Sequence, residues 1–191
     1  MIAPIADSPI AQSETKLVTA DELLRLSSKG RYELIKGELI EMSPPGFEHG
    51  AIANQLAFFI TGHALRQNLG RVLAAETGFR LSRNPDTVRA PDVAFVAKEH
   101  LPAKPPKGYA DFMPDLVAEV VSPSDDPDDV QAKMKEWLDA GVRLVLVVYP
   151  GSRQVAVYRS LREVTILTEG DTLTAEDLLP GFALPITSIF A

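Results

Sequence analysis

The sequence predicts an α/β fold in which helices flank a mixed β-sheet. Two observations carry this. Residues 142–149, VRLVLVVY, form a nearly continuous apolar run rich in β-branched residues, the pattern of a strand buried on both faces. Such a strand needs a helical layer on each side. Two amphipathic segments, near residues 49–67 and 127–140, precede it with three strand-like runs between them.

The elements follow in chain order. Residues 1–16 are punctuated by proline and lack periodicity, which reads as a flexible or partner-bound tail ahead of one domain spanning 17–191. Thr19-Ala20-Asp21-Glu22 is a capping box that opens a short helix through Leu23, Leu24 and Leu26, stopped by Gly30. RYELIKGELIEM, at 31–42, holds two alternating runs about Lys36-Gly37 and predicts a β-hairpin. After Pro44-Pro45-Gly46, a helix over 49–67 aligns Ile52, Leu56, Phe59, Ile60 and His63 on one face. Strands are expected over 71–81, 88–97 and 115–121. Asp126 as N-cap, Pro127 in the first turn, and Asp128 and Asp129 against the dipole announce the second long helix, which Gly141 ends. The buried strand comes next, and a turn at Pro150-Gly151-Ser152 returns the chain over 154–159. Thr174-Ala175-Glu176-Asp177, followed by Leu178 and Leu179, resembles the first capping box and predicts one more helix start.

Composition narrows the chemistry. The 191 residues contain no cysteine, which excludes a disulfide framework, a thiol nucleophile, zinc–thiolate sites and iron–sulfur clusters. No run approaches the ~18 apolar residues of a membrane span, and the first residues lack the basic and apolar regions of a signal peptide. A cytoplasmic protein is the expectation. The net charge of -7 argues against a non-specific nucleic-acid coat, though not against an enzyme whose acids converge on a metal. His49, His63 and His100 lack the spacing of a zinc hydrolase.

Three residues break the local pattern where they stand. Glu119, in DLVAEVV, is a carboxylate amid apolar neighbours on a strand whose faces supply no cation. Burying it unpaired costs several kcal/mol, about the net stability of a small domain. An arginine from a neighbouring strand, such as Arg80 or Arg89, or a metal ion must offset that cost. Asp92, in VRAPDVAFVA, shares a face with Ala90 and Ala94 beside a proline that cannot donate to a ladder. It is either a turn aspartate at a strand entrance or a carboxylate with room beside it for a metal or substrate. Lys133 borders the stripe of Val130, Met134, Trp137, Leu138 and Gly141 on the second long helix. It either snorkels to water or reaches over the sheet toward Glu119. Together, two acids on consecutive strands and a lysine from the next helix form a metal-dependent phosphodiesterase constellation. The acids hold Mg²⁺ (or Mn²⁺) through hard oxygens, and the lysine stabilises the attacking water or the scissile phosphate.

The acidic group Asp125, Asp126, Asp128 and Asp129 lacks the glycine and terminal glutamate of a calcium loop, and helix capping explains it. The loop KEHLPAKPPK, at 98–107, gathers three lysines and three prolines in an otherwise acidic chain. It is either a solvated connection or a place where Lys104 and Lys107 contact phosphates.

The blocks YELIKGELIEMSPPGFEHG, RAPDVAFV and PDLVAEVVSPSD, followed by a lysine-bearing helix ending AGVRLVLVVYP, resemble the Uma-type restriction endonucleases of the PD-(D/E)xK nuclease superfamily. The likeness runs from about Thr19 to Phe190. It implies a restriction-endonuclease-like core in which Pro91-Asp92 matches the PD and Glu119 the acidic position of the motif. Val121 stands where that motif carries its lysine, and Lys133 is the candidate for a migrated one. The family pattern also favours a hairpin glutamate, here Glu33 or Glu38, and a histidine at the next helix start, here His49.

The leading expectation is therefore a Mg²⁺-dependent endonuclease acting on duplex DNA. The alternative is a catalytically weak or inactive nuclease fold that binds nucleic acid or protein. Cutting both strands calls for two sites, so a symmetric homodimer is expected. The weakly charged tail and the terminal run PGFALPITSIF either pack across a partner or close over their own sheet.

Overall fold

A computed structural model describes residues 17–26 and 30–191. The tail assigned to 1–16 lies outside the described residues. Helix α1, Ala20–Leu26, begins on the predicted capping box. Thr19 N–H donates to the Glu22 carboxylate at 2.9 Å, and Glu22 N–H donates back to the Thr19 hydroxyl at 3.2 Å. The hairpin forms as β1, Tyr32–Ile35, and β2, Glu38–Glu41. Lys36 and Gly37 take the positive φ values, 49° and 85°, that a tight hairpin turn requires.

Helix α2, Phe47–Gln67, starts two residues ahead of the sequence expectation. The segment expected as one strand over 71–81 is two, β3, Gly70–Ala74, and β4, Phe79–Ser82. Glu76, at φ 72°, turns the chain between them. The next segment is also two strands, β5, Thr87–Arg89, and β6, Val93–Ala97, parted at Ala90-Pro91 as the missing proline N–H dictates. Strand β7, Leu116–Val120, is followed by α3, Pro127–Asp139, with the Asp126 side chain capping Asp128 N–H at 2.8 Å. Then come β8, Leu144–Tyr149; β9, Gln154–Ser160; β10, Glu163–Leu167; β11, Thr172–Thr174; and β12, Ala183–Pro185.

The strands form a six-stranded sheet, β10-β9-β8-β7-β6-β3, a four-stranded sheet, β2-β1-β5-β4, and a β11-β12 ribbon. In the large sheet only β7 and β8 run parallel, and α3 makes the crossover between them. Against one face of this sheet pack Ile52, Leu56 and Ile60 of α2 with Phe182, Leu184, Ile186 and Ile189. Against the other pack Met134 and Trp137 of α3. The α/β expectation, a mixed sheet between helical layers, is met. The smaller sheet packs Leu34 and Val88 against Ala20 and Leu23 of α1.

One expectation is corrected here, and one of two readings of the terminal run is met. Thr174–Asp177 starts no helix: Leu178 and Leu179 N–H both donate to the Ala175 carbonyl, and the turn stops there. Pro180 and Gly181 follow too closely for a second turn to form. The terminal run closes over its own sheet, because Phe182, Leu184 and Ile186 fill the α2-side core that would otherwise be open. Among the described residues no helix is long and apolar enough to cross a membrane.

Candidate active site

The β6–β7 pairing begins at Val93 against Ala118. Carried one residue further, that antiparallel register sets Asp92 against Glu119. Alternation turns both toward the α3 face, where Ala94 and Val117 already lie. Asp92 accepts Val120 N–H through Oδ2 at 2.8 Å, and His49 Nε2 stands 3.2 Å from the same oxygen. Asp92 Oδ1 has no protein partner among the described residues.

Glu119 is held from α3. Lys133 Nζ donates to Oε2 at 2.9 Å, and the Trp137 indole N–H donates to Oε1 at 2.7 Å. Helical spacing makes this possible: residues 133 and 137 sit one turn apart on the face turned to the sheet. Lys133 thus reaches over the sheet rather than snorkelling. Its second carboxylate is Glu33 of β1, whose Oε1 lies 3.3 Å from Nζ. The other oxygen of Glu33 accepts Arg89 Nη1 at 2.6 Å, and Arg89 Nε donates to Glu136 at 2.7 Å. The arginine partner considered for Glu119 is therefore excluded. Arg89 is taken by Glu33 and Glu136, and Arg80 by Asp21 and Asp111. Of the two hairpin glutamates, Glu33 is buried in this network, whereas Glu38, paired with Ile35, is exposed.

This network, Glu33, Glu119 and Glu136 with Lys133 and Arg89, sets three carboxylates against two cations. The deficit falls on Glu119. Burial pushes its carboxyl up to about 7 against the pull of the Lys133 ammonium, and the Asp92 and Glu33 charges add to the rise. Burial pushes Glu33 upward as well, but Lys133, Arg89 and the Ala90 N–H hold it below the usual carboxylate value. Burial works against the Lys133 charge, and Glu119 and Glu33 outweigh it, so the ammonium stays protonated. The hydrogen bond to Asp92 outweighs burial at His49 and raises its imidazole above the usual histidine value.

Two measurable results follow. Between about pH 4.5 and 7 the folded protein keeps a proton on Glu119 that the unfolded chain has released. This group's contribution to stability therefore falls as pH rises through that window. Glu119→Gln removes the slope, as thermal melts of the two proteins at a series of pH values report. The stabilisation from His49 has the same sign: it is complete below its ordinary value of 6.5 and is lost as pH rises through the raised folded value. In Asp92→Asn the His49 ring titrates at lower pH in an NMR titration.

His49, Asp92, Glu119 and Lys133 line one cleft of about 530 Å³, whose mouth carries Arg31, Glu41, Glu48 and Asp125. Lys104 and Lys107 are not brought to it. Their loop leaves the far end of β6, about 17 Å along that strand from Asp92 at ~3.3 Å per residue. Sequence reasoning placed Trp137 in the core stripe and missed its bond to Glu119. The available signal was the indole N–H itself, which needs a partner when buried. It also missed Glu136, and of the alternatives it weighed for Glu119 the arginine one does not occur: Arg89 pairs with Glu33 and Glu136.

No curated protein matches the chain. Among solved structures it is similar to the crystal structure of a "putative nuclease belonging to DUF820" from Anabaena variabilis ATCC 29413. The TM-score is 0.77 at 23% sequence identity, covering 91% of this chain and 97% of that one. At this identity the likeness establishes the mixed α/β fold. The family model Uma2, described as "Putative restriction endonuclease", matches residues 20–187. With nearly all of the described chain inside that match, the protein is a member of the Uma2 family.

Proposed function

We propose that the protein is a Mg²⁺-dependent endonuclease that hydrolyses phosphodiester bonds of duplex DNA, with Asp92, Glu119 and Lys133 as its working groups. The observation that carries this is that Asp92, one residue ahead of β6, and Glu119 on β7 stand abreast and line one cleft with Lys133. The buried network behind Glu119, three carboxylates against Lys133 and Arg89, is one positive charge short. A cation bound at the cleft would offset that deficit.

The donor set suits Mg²⁺, and Mn²⁺ by the same oxygen preference. No group of three His, Asp or Glu side chains is gathered for a metal among the described residues. Mg²⁺ does not need one, since it keeps several waters and takes one or two carboxylates plus substrate phosphate oxygens. Asp92, through its unpartnered Oδ1, and Glu119 would hold it. When bound, the ion supplies the Lewis-acid charge that phosphodiester hydrolysis requires.

In the reaction water adds its oxygen to phosphorus, one P–O ester bond breaks, and the leaving oxygen gains a proton. Lys133, kept charged by Glu119 and Glu33, stabilises negative charge on the phosphate and is no proton acceptor. Trp137 and Glu33 fix Glu119 and Lys133 in place. His49, bonded to Asp92, orients that carboxylate and is a proton source at the cleft wall. Lys133, donating to Glu119 at 2.9 Å, supports a migrated lysine in place of Val121 and favours catalysis over an inert binding module. Two strands to cut favour two copies, and we propose a homodimer working in the cytoplasm. Calorimetric titration with Mn²⁺ tests the site apart from turnover: the native protein binds it and Asp92→Asn does not. Equal binding by both proteins rejects the two-acid site.

A further inference from the structure

Helix α2 is apolar on both sides. Ile52, Leu56, Ile60 and Ala64 face the core. On the opposite side stand Phe47, Phe58 and Leu65, which are 94%, 66% and 70% exposed. Ala51, Asn54 and Gly62 fill the places between them at i+3 and i+4 spacing, so one stripe runs the length of a 21-residue helix. At ~1.5 Å per residue that is about 31 Å. Three large apolar side chains along one helix face are more than scattered surface residues and mark an interaction surface.

We propose that this stripe is the interface with a second copy of the chain, α2 packing antiparallel on its two-fold mate. The inference gives a surface to the homodimer proposed above and does not depend on the nuclease chemistry. The stripe itself identifies the occupant, because it complements its own reverse. With the two-fold axis at Phe58, residues equidistant from it face each other: Phe58 meets Phe58, Leu65 meets Ala51, and Gly62 meets Asn54. Leu65 then stands over the small Ala51, the short Gly62 and Asn54 let the two helices approach, and the Phe58 rings stack on each other at the axis.

Charge agrees with shape. Glu48 lies in the first turn of α2 and Arg66 in the last, on the same flank of the stripe. The antiparallel pairing brings each beside the other copy's opposite charge. Phe47 and Glu48 line the mouth of the cleft, so Arg66 of the second copy arrives beside a rim otherwise rich in acid.

The chain has no cysteine, which makes a single introduced thiol unambiguous. In light scattering at micromolar concentration the native protein runs at twice 20.8 kDa, and Phe58→Glu weakens association at least tenfold and returns the mass to 20.8 kDa. Oxidised Phe58→Cys gives a covalent dimer, whereas Ile166→Cys, on the exposed β10 strand, does not. Arg66→Glu weakens the dimer, and Glu48→Arg in the same chain restores it. A monomeric native protein overturns the proposal. So does a dimer that survives Phe58→Glu and is not cross-linked through Phe58→Cys; there the two-fold assembly stands on another face. Neither outcome bears on metal binding or cleavage, which are read separately.

Discussion

Purified Asp92→Asn and Glu119→Gln each lose Mg²⁺-dependent cleavage of plasmid DNA by about a thousandfold or more while keeping native circular dichroism and a cooperative melt. Each change removes one anionic oxygen ligand and keeps the shape of the side chain. The fold survives because the amide oxygen introduced by Asp92→Asn still accepts Val120 N–H, and that introduced by Glu119→Gln still accepts from one of its two former donors, while Glu33 keeps the Lys133 ammonium paired. Neutralising Glu119 also removes the least comfortable charge of the buried network, so stability is unchanged or slightly raised above pH 7. Full cleavage by either variant rejects the two-acid site. A large loss of stability with metal binding intact would instead mark these acids as structural.

The second large effect belongs to Lys133. Lys133→Met leaves Glu119 with only the Trp137 bond and Glu33 with only Arg89 and the Ala90 N–H. Breaking a buried ion pair from one side costs about 3–5 kcal/mol. For a chain of this length that is roughly 10 °C in Tm. The loss is greatest near pH 8, where both carboxyls are charged, and smaller near pH 5, where Glu119 takes up a proton. Cleavage falls by about a hundredfold or more at either pH. Adding Glu119→Gln to Lys133→Met recovers part of the stability and none of the activity. Calorimetric melts of the single and double variants at both pH values check this, and equal losses at pH 5 and 8 would show that Glu119 does not carry the penalty.

The legible parts of this molecule were those governed by local rules. The capping box at Thr19, the Lys36-Gly37 turn, the Asp126 cap and the buried strand at 144–149 all follow from short-range chemistry. Asp92, Glu119 and Lys133 stood out because each violates the pattern of its own element, and the structure brings them to one cleft. What stayed hidden depends on contacts between distant segments. One run of alternating residues became β3 and β4 in two different sheets, because a positive φ at Glu76 redirects the chain. A capping pattern at Thr174 failed because Pro180 leaves room for a single turn. Which hairpin glutamate is buried is a matter of how the small sheet docks on α3, and no local rule distinguishes Glu33 from Glu38.

Holding the lysine on a helix changes what must be inherited together. On a strand, a glutamate and a lysine two residues later share a face by alternation, and a tripeptide suffices to specify them. Here the two contacts to Glu119 come from Lys133 and Trp137, fourteen and eighteen residues downstream, and both depend on the rotational phase of α3. One residue inserted between them turns one contact about 100° away from the other. The unit of descent is then the whole strand–helix crossover, intolerant of insertion inside α3 and without need of a lysine at 121, where an apolar Val121 packs toward α3. A search keyed to the short motif passes over such chains, whereas one keyed to the spacing of glutamate, lysine and tryptophan finds them.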